Sequence, residues 1–368
     1  MSTTIDHTAD VSADDARALL IDLVSTPSPS GEEADAADRL VEFFEAYGRT
    51  VWIDEVGNVR APADDSVLLT SHIDTVPGEI PVSVEPAGPD ETPEIAAEGE
   101  DVLWGRGSVD ATGPLAAMAA AAVRTDVSFV GVVGEEVDST GSRYLVDDRD
   151  EPPEAVVNGE PSGADGITLG YRGLIAGTYV ATSESGHTSR PDPNAIQHAV
   201  RWWSTVEEHF EGGEYEPVFE QVTTKPVDIE GGVSDDGLSV ETTMDVQLRV
   251  PPALDVGTVR EAAEAHLDVG TVTWKDKVPP VMMSPRTEVA RAFRVAIRKA
   301  GDDPRLVRKT GTSDMNIYAG AWDCPMVTYG PGNSDLDHAP DERLSLAEFD
   351  RSVEVLTNVA TTLCGGAD

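Results

Sequence analysis

Positive charge and cysteine are both scarce in this 368-residue sequence. Its 26 basic residues, only five of them Lys, face 68 acidic residues, which gives a formal net charge of −42. Nucleic acid is therefore excluded as a main partner, because binding to phosphates requires a positive surface. The two cysteines, Cys324 and Cys364, lie far apart and form no C-x-x-C motif, so zinc-finger and redox motifs are excluded and a disulfide framework has no support.

The sequence also contains no long apolar run. No stretch approaches the ~20 apolar residues that span a bilayer, and residues 1–15 lack the basic and apolar regions of a secretory signal. We therefore expect a cytoplasmic protein that does not cross a membrane. The acidity also disfavours binding to an anionic membrane surface.

Hydrophobic residues make up 40% of the chain, which is too much for an acidic disordered protein. The composition therefore predicts a folded protein with a heavily acidic surface. Acidic groups at this density repel one another unless salt screens them. This favours a halophilic protein from a cytoplasm with molar salt; the alternative is an ordinary acidic protein.

Hydrophobic patterns predict an α/β domain that is interrupted by a smaller α+β domain. Buried strands at 66–76 and 127–134 flank an apolar helix at 113–124, a pattern typical of a sheet covered on both faces. From about residue 167 the strands alternate between apolar and polar residues, and a helix is expected at 194–209. The predicted domains are 1–166 and 284–368 for the interrupted domain and 167–283 for the insert.

Residues of the types that commonly bind metals follow several of these strands or precede the apolar helix. In chain order they are His72, Asp74, Asp110, Glu135, Glu136, Glu160 and His338. Each alone is weak evidence, because a single His after a strand is more often structural and Glu pairs are common in an acidic chain. Buried carboxylates without a partner are costly, however, and a metal ion offsets that cost. Two imidazoles and several carboxylates suit zinc or a similar divalent ion.

Six short segments carry a resemblance to a known family. They are SHIDTVP, GRGSVDATG, GEEVDSTGS, NGEPS, SGHTSRP and DHAPDE. With them the chain resembles the co-catalytic metal aminoacylase/carboxypeptidase hydrolases, which include acetylornithine deacetylase and succinyl-diaminopimelate desuccinylase. GRGSVDATGPLAA, LGYRG and KTGTSDMN look most similar to the branch that releases lysine or ornithine from an amino-group carrier protein. The resemblance implies a zinc-peptidase-like α/β catalytic domain interrupted by a smaller α+β lid or dimerisation domain, and therefore a homodimer.

The resemblance also implies two divalent metal ions, zinc or alternatively cobalt. One ion would be held by His72, Asp110 and Glu160, and the other by Asp110, Glu136 and His338. Asp110 would then bridge the two ions. The pair would lower the pKa of a shared water and polarise the scissile carbonyl.

Further roles follow from the same resemblance. Glu135 would be the general base and acid, and Asp74 would orient the imidazole of His72. His187 would stabilise the oxyanion, often in the active site of a partner subunit, and Arg190 would meet the substrate. Taken alone, His187 reads as a surface-loop residue, and Arg190 as a residue that shapes the same loop.

Two other segments resemble substrate-facing loops of the carrier-protein branch. They contain Arg172, Asp314 and Asn316, and Asp314 would pair with a substrate ammonium group. An ordinary role in a turn is an equally good interpretation of each of the three residues. Where many relatives have Lys, this chain has Thr112, which weakens any inference about substrate from that loop.

The favoured function is hydrolysis of the amide that blocks the amino group of lysine or ornithine, with an acidic carrier protein as the acyl group. The alternatives are deacylation of acetylornithine, acetyl-lysine or succinyl-diaminopimelate, cleavage of a dipeptide, and a non-catalytic scaffold. Residues 286–309 contain eight basic and three acidic residues. On a helix, Arg291, Arg294 and Arg298 share one face, either as a solvated surface whose Arg residues pair with nearby acids or as a docking patch for the acidic carrier.

Overall fold

The structure is a computed structural model that describes residues 11–89, 91, 95–213 and 216–365. Residues 1–10, on which the expectation about a secretory signal partly rests, lie outside these ranges. The chain divides into two compact units. Unit 1 comprises Met1–Leu169, Met283–Val307 and Ile317–Asp368, and unit 2 comprises Gly170–Met282 and Arg308–Asn316.

The elements are numbered in chain order within the described ranges. The helices are α1 (Ala13–Val24), α2 (Ala34–Ala46), α3 (Thr112–Thr125), α4 (Thr140–Asp148), α5 (Ala195–His209), α6 (Val256–Glu264), α7 (Glu288–Ala300), α8 (Asp314–Ala321) and α9 (Leu346–Cys364). The strands are β1 (Trp52–Ile53), β2 (Val59–Ala61), β3 (Asp64–His72), β4 (Ser83–Pro86), β5 (Asp101–Trp104), β6 (Val127–Val132), β7 (Val156–Gly159), β8 (Gly166–Tyr171), β9 (Gly173–Glu184), β10 (Thr223–Val233), β11 (Ser239–Val250), β12 (Thr271–Val278), β13 (Val281–Met282), β14 (Arg305–Lys309), β15 (Met326–Thr328) and β16 (Arg343–Ser345).

A mixed sheet forms the centre of unit 1. Its strands run in the order β1-β2-β6-β3-β7-β15-β8. The four strands β6, β3, β7 and β15 are parallel to one another, whereas β2 and β8 pair with them antiparallel. Strands β6 and β7 are buried along their whole length, and β3 is buried from Val67 onward. Burial on both faces explains why these strands are continuous apolar runs rather than alternating patterns.

Helices of unit 1 pack against this sheet and against each other. Helix α3 is buried from Thr112 to Ala122 and contacts β3, β6, α1 and α9. A helix that is apolar on all sides needs such enclosure. Helix α1 is capped by Ser12, whose hydroxyl accepts a hydrogen bond from the Asp15 amide while the Asp15 carboxylate accepts one from the Ser12 amide.

Unit 2 is built around an antiparallel sheet in the order β10-β11-β9-β12. Burial alternates along β9 and β11, and helix α5 packs against both strands. The core includes Met244 and Leu248, and the rings of Tyr179 and Trp202 stack with centroids 4.9 Å apart. Strand β12 lies on the other side of β9 and completes this α+β arrangement.

The predicted α/β class is confirmed, and the helices predicted at 113–124 and 194–209 correspond to α3 and α5. The predicted insert, 167–283, covers nearly the same residues as Gly170–Met282, but unit 2 also includes Arg308–Asn316, which the prediction assigned to the catalytic domain. Asn316 Nδ2 donates to the carbonyl oxygens of Arg172 and Pro279, at 3.2 and 2.8 Å, which ties this returning segment to unit 2. In the part of the chain that the structure describes, no helix has the length and apolarity that a membrane span requires.

Candidate metal centre

The parallel strands of unit 1 end at one edge of the sheet, where loops carry the candidate ligands. His72 is the last residue of β3, Glu135 and Glu136 follow β6, Glu160 follows β7, and His338 lies in the loop after β15. Asp110 comes from the segment between β5 and α3. Carboxyl ends of parallel strands are the usual place for ligand sites in such sheets, because the loops there converge.

Four of the predicted ligands lie together. His72, Asp110 and Glu136 each offer a ligand atom, and these atoms lie within 4.8 Å of one another. His72 Nε2 is 3.2 Å from Asp110 Oδ1, whereas His338 Nε2 is 3.3 Å from Asp110 Oδ2 and 3.1 Å from Glu136 Oε2. The two oxygens of Asp110 therefore face two different imidazoles.

Glu160 is brought beside His72 by the strand register. Ser71 of β3 pairs with Gly159 of β7, so His72 and Glu160 are the next residues on two neighbouring parallel strands. Glu160 is buried, with 9% of its surface exposed. A buried carboxylate at the end of a strand requires compensation, which a cation provides.

Asp74 lies beneath the cluster and is fully buried. The carbonyl oxygen of Asp74 is 2.8 Å from His72 Nδ1, and its carboxylate accepts the backbone N–H groups of Glu135 and Glu136, both at 3.1 Å. The Ser30 hydroxyl donates to the same carboxylate at 2.7 Å. Asp74 thus fixes both the imidazole of His72 and the turn that carries Glu135 and Glu136.

The pKa values of Glu136, His338 and His72 are all raised above their ordinary values. Burial raises the pKa of Glu136 to about 7, and the charge of Asp110 adds to this effect. A hydrogen bond to Asp110 raises the pKa of His338 to about 9. Burial alone would lower the pKa of His72, but hydrogen bonds to Asp110 and Asp74 outweigh burial and hold this pKa well above its ordinary value.

This donor set fits divalent metal ions. Imidazole nitrogen and carboxylate oxygen are common ligands of zinc and similar ions. His72 Nδ1 faces the Asp74 carbonyl, which holds a proton on Nδ1, so Nε2, which faces Asp110, is the nitrogen that would bind a metal ion. The carboxylates lie close together at a largely buried site, where a divalent ion would compensate their negative charge.

The predicted substrate residues all lie in unit 2. His187 and Arg190 are exposed, and His187 Nδ1 is 2.8 Å from the Ser189 hydroxyl. Arg172 is buried, and its guanidinium donates to three backbone carbonyls, including Thr310 O at 2.8 Å.

Asn316 is also occupied within unit 2. Besides its contacts with Arg172 and Pro279, its Oδ1 accepts the backbone N–H of Ser313 at 3.0 Å. Asp314, the first residue of α8, is buried with 1% of its surface exposed. Arg172 and Asn316 therefore hold the returning segment of unit 2 in place.

Sequence reasoning missed several residues around these groups. Asn58 is fully buried, accepts the Val133 amide at 3.1 Å and donates to the Gly141 carbonyl at 3.0 Å, so it holds both ends of the turn with Glu135. Arg249 donates to the Thr312 hydroxyl at 3.2 Å, and no carboxylate among the described residues forms an ion pair with it.

The fold and the cluster together define a metal-dependent hydrolase. The chain belongs to peptidase family M20/M25/M40, whose sequence model matches residues 68–362. It is similar to the LysW-lysine hydrolase of Deinococcus radiodurans, with 39% identity over 95% of this chain and 98% of the relative. It is also similar to the putative LysW-lysine/LysW-ornithine hydrolase of Thermococcus kodakarensis, with 35% identity over 97% of this chain and 95% of the relative.

Solved structures agree on the fold. A metallo-carboxypeptidase of the M20 family, Sso-CP2 from Sulfolobus solfataricus, matches with a TM-score of 0.75 at 18% identity, over 95% of this chain and 99% of that one. The YXEP protein of Bacillus subtilis, described as a dinuclear metal-binding peptidase of the same family, matches with a TM-score of 0.67 at 14% identity, over 95% and 98%. The matching sequence model and the relatives at 39% and 35% identity confirm the family resemblance inferred from the sequence.

Proposed function

We propose that this protein hydrolyses the amide that joins lysine or ornithine to a LysW-type amino-group carrier protein, and so releases the free amino acid. The observation that supports it is the pair of contacts at Asp110, whose two oxygens face His72 and His338 at 3.2 and 3.3 Å. A carboxylate between two imidazoles suits a bridge in a two-metal hydrolase. The names of the relatives at 39% and 35% identity supply the substrate class.

In this proposal Asp110 is shared by two ions. His72 and Glu160 complete one site, and Glu136 and His338 complete the other. Zinc is the proposed metal, with cobalt as the alternative, because both accept imidazole and carboxylate ligands. When bound, such a pair makes water a stronger nucleophile at neutral pH and polarises the amide carbonyl.

Glu135 carries the proton in the proposed reaction. It removes a proton from the attacking water and delivers it to the departing amine, so one carboxylate acts first as base and then as acid. Its backbone N–H is fixed by Asp74 at 3.1 Å, which limits the positions that its side chain reaches. Asp74 also keeps the proton of His72 on Nδ1, so that Nε2 is available to bind the metal ion.

Residues of unit 2 are proposed to bind the substrate. Asp314 stays the proposed partner of the substrate ammonium group. The exposed His187 is proposed to stabilise the oxyanion, and Arg190 to contact the substrate.

We also propose a homodimer in a cytoplasm of high salt. The support for a dimer is strand β10, which pairs only with β11 among the described residues and exposes Val227, Ile229 and Val233 by 54, 48 and 64%. An edge strand with exposed apolar residues is a typical surface for pairing with a second copy. Light scattering of the purified protein in molar KCl tests this.

A substrate comparison tests the proposed function. Release of free amino acid is measured for carrier-linked lysine, carrier-linked ornithine, acetylornithine, acetyl-lysine and succinyl-diaminopimelate at equal metal loading. We expect kcat/KM for one of the carrier-linked substrates to exceed that for every small substrate. A small acylated substrate that is cleaved as well as both carrier-linked ones would contradict the proposal, and the Glu135→Gln variant serves as the blank.

A further inference from the structure

Glu342 is a buried carboxylate close to the metal centre that has no role in the chemistry described so far. It lies four residues beyond His338 and directly before β16, and its surface is 0% exposed. Removing a carboxylate from water is costly unless hydrogen bonds or charges compensate it. Its contacts therefore show what this part of the fold requires.

The carboxylate of Glu342 binds the segment that carries Asp110. Its Oε1 accepts the backbone N–H groups of Val109 and Asp110, at 2.8 and 3.0 Å. Its Oε2 accepts Nη1 of Arg106 at 2.8 Å, and its backbone carbonyl accepts the N–H of Gly105 at 3.3 Å. Glu342 thus contacts four residues of the segment 105–110, two at each end.

The same contacts join three loops of the metal centre. Arg106 Nε also donates to the carbonyl of Gly78, in the loop that leaves Asp74. Glu342 itself belongs to the loop of His338. A shift of this carboxylate would therefore move Asp110 relative to His338. The side chains of these two residues are only 3.3 Å apart, so their contact is sensitive to such a shift.

We infer that Glu342 is a positioning residue of the metal centre: its carboxylate fixes the backbone of Asp110 against the loop of His338 and so sets the geometry of the bridging ligand. Residues that orient metal ligands typically change metal affinity about 10- to 100-fold when they are replaced. The inference rests on the metal centre of the proposed function and is independent of the substrate.

The test is cobalt binding by the full-length Glu342→Gln variant in molar KCl. Gln has the same size but replaces one acceptor oxygen by a donor, which then opposes Arg106 or the two amides. We expect the dissociation constant for Co²⁺, measured by competition with a chelator, to rise about 10- to 100-fold. We also expect the visible absorption spectrum of bound Co²⁺ to change, because the coordination geometry is altered.

A neighbouring variant separates positioning from general destabilisation. Glu91 holds Arg343, the residue after Glu342, by two contacts of 2.8 Å, so Glu91→Gln removes a similar charge pair nearby. We expect Glu91→Gln to lower the thermal unfolding midpoint without changing the Co²⁺ affinity or spectrum. The inference is overturned if Glu342→Gln binds Co²⁺ with wild-type affinity and spectrum, or if Glu91→Gln alters both as strongly.

A second variant covers the case in which Glu342→Gln does not fold. Arg106→Gln leaves both amide contacts of Glu342 intact but removes the guanidinium that fixes Oε2. We expect a loss of Co²⁺ affinity in the same direction but smaller. Unchanged affinity and spectrum in this variant would overturn the inference as well. Neither result depends on which amide is cleaved, so the substrate comparison above succeeds or fails separately.

Discussion

Replacing Asp74 by Asn tests the hydrogen bonds beneath the metal cluster. Oδ1 accepts the Glu135 amide at 3.1 Å and lies 3.5 Å from His72 Nδ1, while Oδ2 accepts the Glu136 amide at 3.1 Å and the Ser30 hydroxyl at 2.7 Å. Asn keeps the shape but carries an NH₂ donor in place of one oxygen. In either orientation that donor meets a backbone N–H, so at least one hydrogen bond is lost.

The size of the effect follows from the lost contact. A hydrogen bond to a charged group contributes about 1.5–3 kcal/mol, which corresponds to roughly a 10- to 100-fold change in a rate constant. The loss displaces the turn that carries the proposed base and one ligand. We therefore expect kcat/KM of Asp74→Asn for carrier-linked lysine to fall by roughly this factor at saturating metal, and the metal affinity to fall as well.

Ser30→Ala is the matched control. It removes one donor from the same carboxylate but leaves the contacts with the Glu135 and Glu136 amides intact, so we expect a smaller loss of kcat/KM than in Asp74→Asn. Steady-state rates at saturating Zn²⁺ or Co²⁺ and metal content after desalting provide the measurements. Activity of Asp74→Asn within twofold of the wild type, or an equal loss in Ser30→Ala, would show that the network does not position Glu135 and Glu136.

Three further predictions address the base, the surface charge and the basic helix. Glu135→Gln should retain its metal but lose about 10²–10⁴-fold in kcat, whereas His338→Ala should lose metal; near-normal turnover of the former would exclude Glu135 as the base. Transfer from molar salt to ~0.1 M, where the Debye length grows to about 10 Å, should loosen or unfold the protein; cooperative unfolding and full activity there would contradict halophilic adaptation. Reversal of Arg291, Arg294 and Arg298 to Glu should slow cleavage of carrier-linked lysine and spare acetyl-lysine; equal losses on both substrates would exclude a docking patch.

The sequence predicted the candidate ligands because most of them directly follow an apolar strand, whereas Asp110 precedes the apolar helix α3 and was assigned by the family resemblance. Buried parallel strands are long apolar runs, and a charged residue directly after such a run is conspicuous. Strand order then brings His72, Glu136 and His338 to one edge, which is why residues far apart in the chain meet at Asp110. The assignment of these residues to individual metal ions stays a prediction.

The contacts of the supporting residues could not be predicted from the sequence, although Glu342 is the last residue of the DHAPDE segment. Glu342 contacts the Asp110 amide across 232 positions, and Asn58 contacts the Val133 amide across 75. Such contacts leave no periodic pattern, because a single side chain meets a single backbone group. Strand β10 was missed for another reason: nearly all its residues are exposed, so it lacks the alternation that marks a half-buried strand.

Helix α7 shows how the charge of this protein is distributed. Its apolar side, including Phe293 and Ile297, is buried, whereas Arg291 and Arg298 are exposed. The interpretation that Arg291, Arg294 and Arg298 pair with nearby acids is not supported, because none of the three forms an ion pair within the described residues. The side-chain hydrogen bonds of Arg291 and Arg298 there go to backbone carbonyls only. In a chain of net charge −42, acidic partners for three arginines on one helix face would be easy to supply.

In molar salt the Debye length is roughly 3 Å, so Arg291, Arg294 and Arg298 attract an acidic carrier only at contact distance. Docking there would then depend on short Arg–carboxylate pairs rather than on long-range attraction, and the difference between the two substrates should persist when the salt concentration is raised further.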